Sequence, residues 1–415
     1  MLLVVLFFLA ALLPGGVMAQ EEVEIPDALT EDQCLVCHND LGALPEGFLM
    51  ASSHMRLGLS CAGCHGGDAT SDDEEIAHSG SWVGAPSKAQ IPAFCGNCHS
   101  NLTFMRTWSP SASTDQESNY YTSIHGQKLK AGDTKVAECS SCHTAHAILP
   151  ASDARSSVHP TNVPATCSKC HGDAGYMSEY GIKTNQYEKY AQSVHGKALL
   201  EKLDLGAPAC NDCHGNHGAQ PPEVESIDHV CGMCHVNNAV YFEQTSMARS
   251  FREEGLHACE ECHGIHDVSA AFDGMAGVGD ESVCTTCHEE GDDGYEAARL
   301  IGEQLAMLAA AQDSAGVSME LVRKTGMDDI DIGFLMRDAH EAHIQARTLV
   351  HTFDPEKTGV VTSNGIAKAR EAIILARTEL ADFRFRRMGF GVATLIITLL
   401  TVALYFKIRE IDARS

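Results

Sequence analysis

The chain has 415 residues, and its 56 acidic and 29 basic side chains give it a formal charge of −27. Phosphate backbones repel so acidic a protein, which excludes a role in nucleic-acid binding. The same charge favours docking to basic partner proteins, and it equally fits a generally acidic exported surface.

An apolar run at residues 1–19 ends in Val17-Met18-Ala19, a small-residue pattern typical of a secretory cleavage site. We therefore predict a signal peptide at 1–19. The run lacks a basic start, so an uncleaved anchor is the alternative interpretation. Export agrees with the 18 cysteines of the chain, because cysteines are handled in an oxidising compartment outside the cytoplasmic membrane.

Nine C-x-x-C-H motifs lie between Cys34 and His288, and together they use all 18 cysteines of the chain. This motif attaches c-type haem: the two thiols add to the haem vinyl groups, and the histidine becomes the proximal iron ligand. Zinc ribbons and redox-active disulfides also use C-x-x-C pairs, but neither needs a histidine after every second cysteine. The predicted attachment residues are Cys34, Cys37, Cys61, Cys64, Cys95, Cys98, Cys139, Cys142, Cys167, Cys170, Cys210, Cys213, Cys231, Cys234, Cys259, Cys262, Cys284 and Cys287. The predicted proximal ligands are His38, His65, His99, His143, His171, His214, His235, His263 and His288. The sequence thus predicts nine covalently attached haem c groups.

Candidates for the second, distal iron ligand stand at fixed places relative to these motifs. After the first motif, the other eight form four pairs, and a Ser-x-His-Gly segment precedes the second and third pairs. The first motif of the second, third and fourth pairs extends to C-H-x-x-H, which adds one more histidine each. The predicted distal histidines are His54, His78, His125, His146, His195, His217, His266 and His351. Those left without a place are equally propionate partners or surface imidazoles: His159, His229, His257, His340 and His343.

The fourth pair has Met247 where the second and third pairs have the histidine of Ser-x-His-Gly. A thioether is softer than imidazole and stabilises reduced iron. We therefore predict one His/Met haem of highest potential near the C-terminal end of the array. The alternative is that Met247 only fills space against a porphyrin, with His257 or His351 as the ligand.

The predicted haem domain, residues 20–290, is too short to build a side-chain core around every haem, so the haems themselves must form much of the core. The many Gly, Pro, Ser and Asp residues between motifs predict turns and loops. The predicted fold class is a multihaem cytochrome c, mostly irregular with short α-helices, for example at 186–203 and 238–253. An α-helical segment and a C-terminal transmembrane helix complete it.

Residues 291–387 contain no cysteine, and apolar residues recur there at helical spacing. We predict three helices at roughly 293–312, 317–351 and 362–387. His340, His343, Arg347 and His351 would share one face of the middle helix. We interpret the domain as packing on the haem array, where it offers a distal ligand and places Arg347 on a propionate. A solvated polar helix face is the alternative.

Residues 388–406 are nineteen consecutive uncharged residues, long enough to span a bilayer as a helix. The count of flanking basic residues favours the opposite orientation, but haem attachment requires the haem domain to lie outside. We therefore predict a protein of the cytoplasmic membrane with its haem domain facing the periplasm and a cytoplasmic tail at 407–415. The predicted outer headgroup residues, beside anionic lipid or a quinol, are Arg384, Arg386 and Arg387.

The motif order over roughly residues 50–290 resembles the doubled-CxxCH multihaem cytochromes c of bacterial respiratory chains. More loosely, it is similar to the hydroxylamine-oxidoreductase-like multihaem class, in which long helices also follow the haems. The resemblance implies a bis-histidine electron carrier and leaves its donor and acceptor open.

Two functions are compatible with the sequence. The first is a membrane-anchored carrier that moves electrons between a quinol-oxidising membrane complex and periplasmic or extracellular redox partners. The second is a multihaem reductase or oxidase of a small nitrogen or sulfur oxyanion, which needs one haem with an open iron face. The histidine supply favours the first. The motif at Cys34 has no obvious upstream histidine and is the expected open site for the second.

Overall fold

The computed structural model describes residues 29, 31–44, 52–221 and 230–414. The predicted signal peptide at 1–19 and His229 lie outside these ranges. Within them the regular structure is helical and contains no β-strand, which confirms the predicted fold class. The chain divides into two compact units, Met1–Thr184 with Leu203–Gln220, and Asn185–Lys202 with Pro221–Ser415. The haem motifs are therefore shared between two units, whereas the sequence predicted a single haem domain at 20–290.

The first unit consists of short helices joined by turns, and the motif helices have two forms. The first motif of a pair forms a single turn that begins at the first cysteine, because residues i, i+3 and i+4 of one turn share a face. The second motif of a pair ends a two-turn helix whose second residue is proline, Pro92 or Pro164, a residue favoured in a first turn. The α-helices are Gln33–Asp40, Ser53–Arg56, Cys61–His65, Glu74–Ala77, Ile91–His99, Leu102–Trp108, Gln116–Tyr120, Ile124–Lys130, Cys139–His143, Val163–His171, Ala174–Met177 and Cys210–His214, with 3₁₀ turns at Lys88–Gln90 and Ser178–Tyr180.

The one-turn motif helices end in a left-handed residue directly after the proximal histidine. Gly66 has φ 70°, and a Cβ there would lie 2.1 Å from the Ser81 carbonyl oxygen. Thr144 occupies the same place after His143 with φ 67°, without the freedom of glycine. The chain therefore turns away sharply behind each of these imidazoles.

The second unit starts with helices that are more broken than the sequence predicts. The predicted helix 186–203 is interrupted at Ser193, and 238–253 is interrupted near Thr245. In both places the hydroxyl accepts a backbone N–H three residues later and so starts a new helix. The short elements are Gln186–Gln192, Val194–Gly196, a π-turn at Lys197–Glu201, Val236–Glu243, Ser246–Glu254 and Glu260–His263, with 3₁₀ turns at Asp273–Met275, Cys284–Thr286 and Val350–Thr352.

Three long helices complete the second unit: α1 Asp293–Thr325, α2 Ile330–Leu349 and α3 Pro355–Asp412. The predicted break near residue 313 is wrong, because α1 continues through it with Ala315 fully buried. The middle helix accordingly begins at Ile330 rather than at 317, after a left-handed Gly326. Small side chains on α3, among them Ala372 and Ala376, form the shared core and let the helices approach closely.

Helix α3 continues without a break from the bundle through the predicted transmembrane run 388–406. The bundle part buries Ala369 and Ala376, whereas side chains from Met388 onward are exposed on every side. A helix that is apolar all round needs an apolar surrounding. Among the described residues, α3 is the one helix long and apolar enough to cross a membrane.

Candidate functional site

Proximal histidines of the motifs face other histidines at a nearly constant distance. In seven pairs the ring centroids lie 5.9–6.2 Å apart. The pairs, proximal residue first, are His38–His78, His65–His146, His99–His54, His143–His217, His171–His125, His235–His195 and His263–His351.

This spacing fits an iron atom between two imidazoles. Metal–imidazole bonds of about 2.0–2.1 Å put the facing nitrogens about 4 Å apart, and about 1 Å more on each side reaches the ring centres, which gives about 6 Å in total. Direct ring stacking would bring two imidazoles closer together. The residues present therefore fit haem iron held from both faces.

The pairing follows a rule along the chain. A histidine at the Ser-x-His-Gly position faces the second proximal histidine of its own pair, as His125 faces His171. The additional histidine of C-H-x-x-H faces the first proximal histidine of the preceding pair, as His217 faces His143. The first and second motif pairs thus each have one proximal histidine that faces a histidine of the next pair along the chain.

A repeated backbone hydrogen bond produces this arrangement. The N–H of Ile124, directly before His125, donates to the carbonyl of Ala219, two residues after His217, at 3.2 Å. The equivalent bonds join Ser53 N–H to the Ile148 carbonyl at 2.7 Å and Val194 N–H to the Val268 carbonyl at 2.8 Å. The last of these puts the segments of His195 and His266 side by side.

Hydrogen bonds also prepare the rings for iron. The Nδ1–H groups of His65, His78 and His351 donate to the carbonyls of Gly84, Glu74 and Thr348 at 2.8–3.0 Å, and His214 donates to the Gln220 carbonyl at 3.2 Å. This tautomer leaves Nε2 without its proton, as a metal ligand requires.

Burial further favours the neutral imidazole. Desolvation lowers the pKa of ten paired histidines, and neighbouring imidazoles lower most of them further, because charging a buried ring is unfavourable. These residues are His54, His99, His125, His143, His146, His171, His195, His217, His263 and His351.

Cysteines of consecutive motifs lie against each other. The Cys95 thiol is hydrogen-bonded to Cys139, and the Cys167 thiol to Cys210. Burial, and after it a thiol of the next motif, raises the pKa of Cys64 beside Cys98, Cys142 beside Cys167, and Cys262 beside Cys284. In the mature protein these sulfurs would be thioethers and would make no thiol hydrogen bonds. The sulfurs of successive motifs would still lie close together. The attachment points are thus arranged in the order of the sequence within each unit.

The helical region places one histidine opposite a proximal histidine. His351, in the 3₁₀ turn after α2, faces His263 at 6.1 Å. Arg347 and His343 contact the Asp273 carboxylate at 2.7 and 2.9 Å, and the contact of Arg347 with a propionate stays a prediction. His340 is exposed and lines a cavity of about 550 Å³ between α1 and α2.

The first and ninth motifs differ in whether a second histidine faces the proximal one. His38 of the first motif faces His78, so the expected open site is not at Cys34. His288 of the ninth motif faces no imidazole within the described ranges, and its Nδ1 instead contacts the Asp292 carboxylate at 3.1 Å. Asp292 was not among the residues predicted from the sequence, although an acidic N-cap of α1 four residues after the proximal histidine is a visible signal.

Met247 lies where the structure repeats the histidine-bearing turns. Thr245 Oγ1 donates to the Phe242 carbonyl at 2.7 Å and accepts the Ala248 N–H at 3.1 Å. Ser123 and Ser193 make the same two bonds around His125 and His195, at 2.6 and 2.9 Å. Met247 therefore has the backbone position of those two histidines, and it packs against the buried cluster of Phe242, Ala248 and Ala258.

The alternative ligands for the second motif of the fourth pair, which ends at His288, have other partners. His351 faces His263, and His257 contacts the Glu260 carboxylate. His159 is buried and bonded to Thr161 at 2.8 Å. These contacts leave Met247 as the side chain with the right position in this repeat.

The motifs, the paired imidazoles and the strand-free helical fold together define a multihaem c-type cytochrome with covalently attached haem c, which confirms the predicted class. Family models match two parts of the chain: cytochrome c3 at residues 53–172, and cytochrome c554 and c-prime at residues 16–66.

Two relatives agree with this class. The chain is similar to multiheme cytochrome MtrA of Shewanella baltica (strain OS185), with 23% identity over 256 residues that cover 56% of this chain and 76% of MtrA. It is also similar to the C-type polyheme cytochrome OmcC of Geobacter sulfurreducens, with 24% identity over 192 residues that cover 39% of this chain and 22% of OmcC. No solved structure matches the chain. Electron transfer is the role that this class implies.

Proposed function

We propose that the protein is a nonahaem cytochrome c anchored in the cytoplasmic membrane by α3, with its haem region in the periplasm. Its role is to transfer electrons between a quinone-linked membrane complex and periplasmic or extracellular redox partners. The observation that carries the proposal is the set of seven imidazole pairs at 5.9–6.2 Å. Iron held by two histidines has no free position for a substrate, which favours a carrier over an enzyme.

Haem c, when bound, supplies reversible one-electron chemistry. The chain's own residues hold the groups in line, since the sulfurs of successive motifs, such as Cys95 and Cys139, are in contact. The paired histidines would hold the iron, and the Nδ1 hydrogen bonds of His65, His78 and His351 limit rotation of those three rings. The net charge of −27 would direct the protein toward basic partners.

A reductase or oxidase of a small nitrogen or sulfur oxyanion remains the second candidate, at the ninth motif and not at the first. The supporting observation is that His288 faces no second imidazole within the described part of the chain. If Met247 were absent from that iron, a substrate would find an open position there. A purified protein whose haems are all low-spin by electron paramagnetic resonance contradicts this candidate.

The mature protein should carry nine haems, one for each C-x-x-C-H motif. Its intact mass should exceed that of the processed polypeptide by nine haem masses, and a pyridine haemochrome assay should give the same number. Substituting both cysteines of one motif, Cys284 and Cys287, with serine should lower the count by one. A wild-type mass that leaves any motif with intact thiols contradicts the stoichiometry.

Deleting the chain from Met388 onward should release a soluble periplasmic protein with its full haem content, because the bundle core of α3 lies before this residue. In washed membranes that contain the full-length protein, a quinol should reduce its haems. Washed membranes from cells that make the truncated protein should show no reduction of these haems, because the protein is no longer bound there. Purified full-length protein in liposomes serves as the control, and it should not oxidise quinol unaided.

Two outcomes would count against this proposal, one against the single anchor and one against the partner complex. Retention of the truncated protein in washed membranes would show a second anchor, such as an uncleaved N-terminal run. Rapid quinol oxidation by the purified protein in liposomes would remove the need for a partner complex.

A further inference from the structure

The proximal side of the ninth motif is built around a carboxylate. Asp292 Oδ1 lies 3.1 Å from His288 Nδ1 and also accepts the Tyr295 N–H at 2.6 Å, while Oδ2 accepts the Glu289 N–H at 2.8 Å. Asp292 is the N-cap of α1, a helix of 33 residues. The helix N-terminus favours a negative charge at this place whether or not the imidazole is present.

The neighbouring glycine shows that the ring position is specified. A Cβ on Gly294 would lie 2.1–2.6 Å from three atoms of the His288 ring. A larger residue would therefore push the imidazole away from Asp292. The absence of a side chain at 294 and the carboxylate at 292 together fix one position of the ring against the first turn of α1.

Other proximal histidines have a different partner. His65 and His214 donate Nδ1–H to backbone carbonyls of Gly84 and Gln220. A carboxylate accepts this proton more strongly than a carbonyl does and makes the imidazole more basic. A more basic proximal ligand donates more charge to iron and stabilises its oxidised state.

We infer that Asp292 is a positioning residue for the ninth haem site, which orients His288 and lowers the reduction potential of the iron it binds. This inference rests on the proposed haem loading and adds a residue that sets one potential.

Redox titration of the full-length holoprotein tests the inference with Asp292→Asn. Asparagine is an equally good N-cap, so α1 should keep its start while the carboxylate is lost. One haem should shift to a higher potential, and the others should stay at their wild-type values. The matched control is Asp293→Asn, which removes the same charge from the next residue without removing the hydrogen bond to His288.

A shift in D292N that is absent or much smaller in D293N supports the inference. Equal shifts in both variants overturn it, because they would reflect only the local field. No shift in D292N overturns it as well. Haem content and helicity, measured on the same samples, separate this failure from failure of the proposed function, which would appear as missing haems in the wild-type protein.

Gly294→Ala gives a second measurement if D292N does not fold. It should displace the His288 ring and alter the electron paramagnetic resonance signal of a single haem. A spectrum identical to that of the wild type contradicts the specified ring position.

Discussion

Replacing His351 with alanine is expected to convert one low-spin haem into a high-spin haem that binds carbon monoxide when reduced. His351 faces His263 at 6.1 Å, is largely buried and donates Nδ1–H to the Thr348 carbonyl, so it presents Nε2 to the iron. Removing it leaves that iron with one protein ligand. Electron paramagnetic resonance should show one new high-spin centre, and carbon monoxide titration should show one binding equivalent more than in the wild type.

The matched control is His340→Ala, on the same helical segment. His340 is exposed and faces no proximal histidine in the described structure, so its removal should leave all haems unchanged. His351→Met should restore a six-coordinate haem with a higher potential. If H351A leaves the spectra unchanged, the iron at His263 takes its second ligand from elsewhere.

Replacing Met247 with histidine is expected to lower the potential of one haem by on the order of 0.1 V, a sizeable part of the roughly 0.8 V over which axial ligands tune haem. The near-infrared band of methionine-ligated ferric haem should disappear at the same time. The turn around Thr245 already has the backbone hydrogen bonds that present His125 and His195. A histidine at 247 should therefore ligate without rebuilding the segment.

Met247→Leu separates ligation from packing. Leucine keeps the apolar volume against Phe242 and Ala258 but has no donor atom, and such swaps cost little stability in a core. If Met247 is a ligand, the leucine variant should contain one high-spin haem. If both variants keep every wild-type potential, Met247 serves only to fill space.

The sequence predicted the attachment residues well because C-x-x-C-H encodes covalent chemistry within a single helical turn. The sequence did not predict which histidine faces which proximal histidine. His65 and His146 are far apart in the chain, and the backbone bond from Ser53 to Ile148 that holds the His146 segment leaves no mark on side-chain identity. For the same reason His78, which no motif contains, could be ranked but not assigned to His38.

Helix ends were predicted less well for a different reason. The polar stretch around Asp313 is typical of a break, but burial of Ala315 against α3 keeps α1 continuous. At Met388 the composition changes from bundle to membrane type while the backbone remains helical. Local propensity describes the surroundings of a segment, and tertiary packing decides whether the helix continues.

The length of the unbroken α3 determines how far the last haem motifs lie from the membrane. Pro355 starts close to His351, and the stretch from there to Met388 rises about 50 Å at about 1.5 Å per residue. Because α1 and α2 pack along this stretch, this part of α3 is held straight within the bundle. Under the proposed topology, the irons at His263 and His288 therefore stand tens of ångströms above the bilayer, beyond direct tunnelling from a quinol within it. A donor must present its own redox centre at that distance from the membrane. The length of α3 between Pro355 and Met388 therefore determines which membrane complexes can deliver electrons.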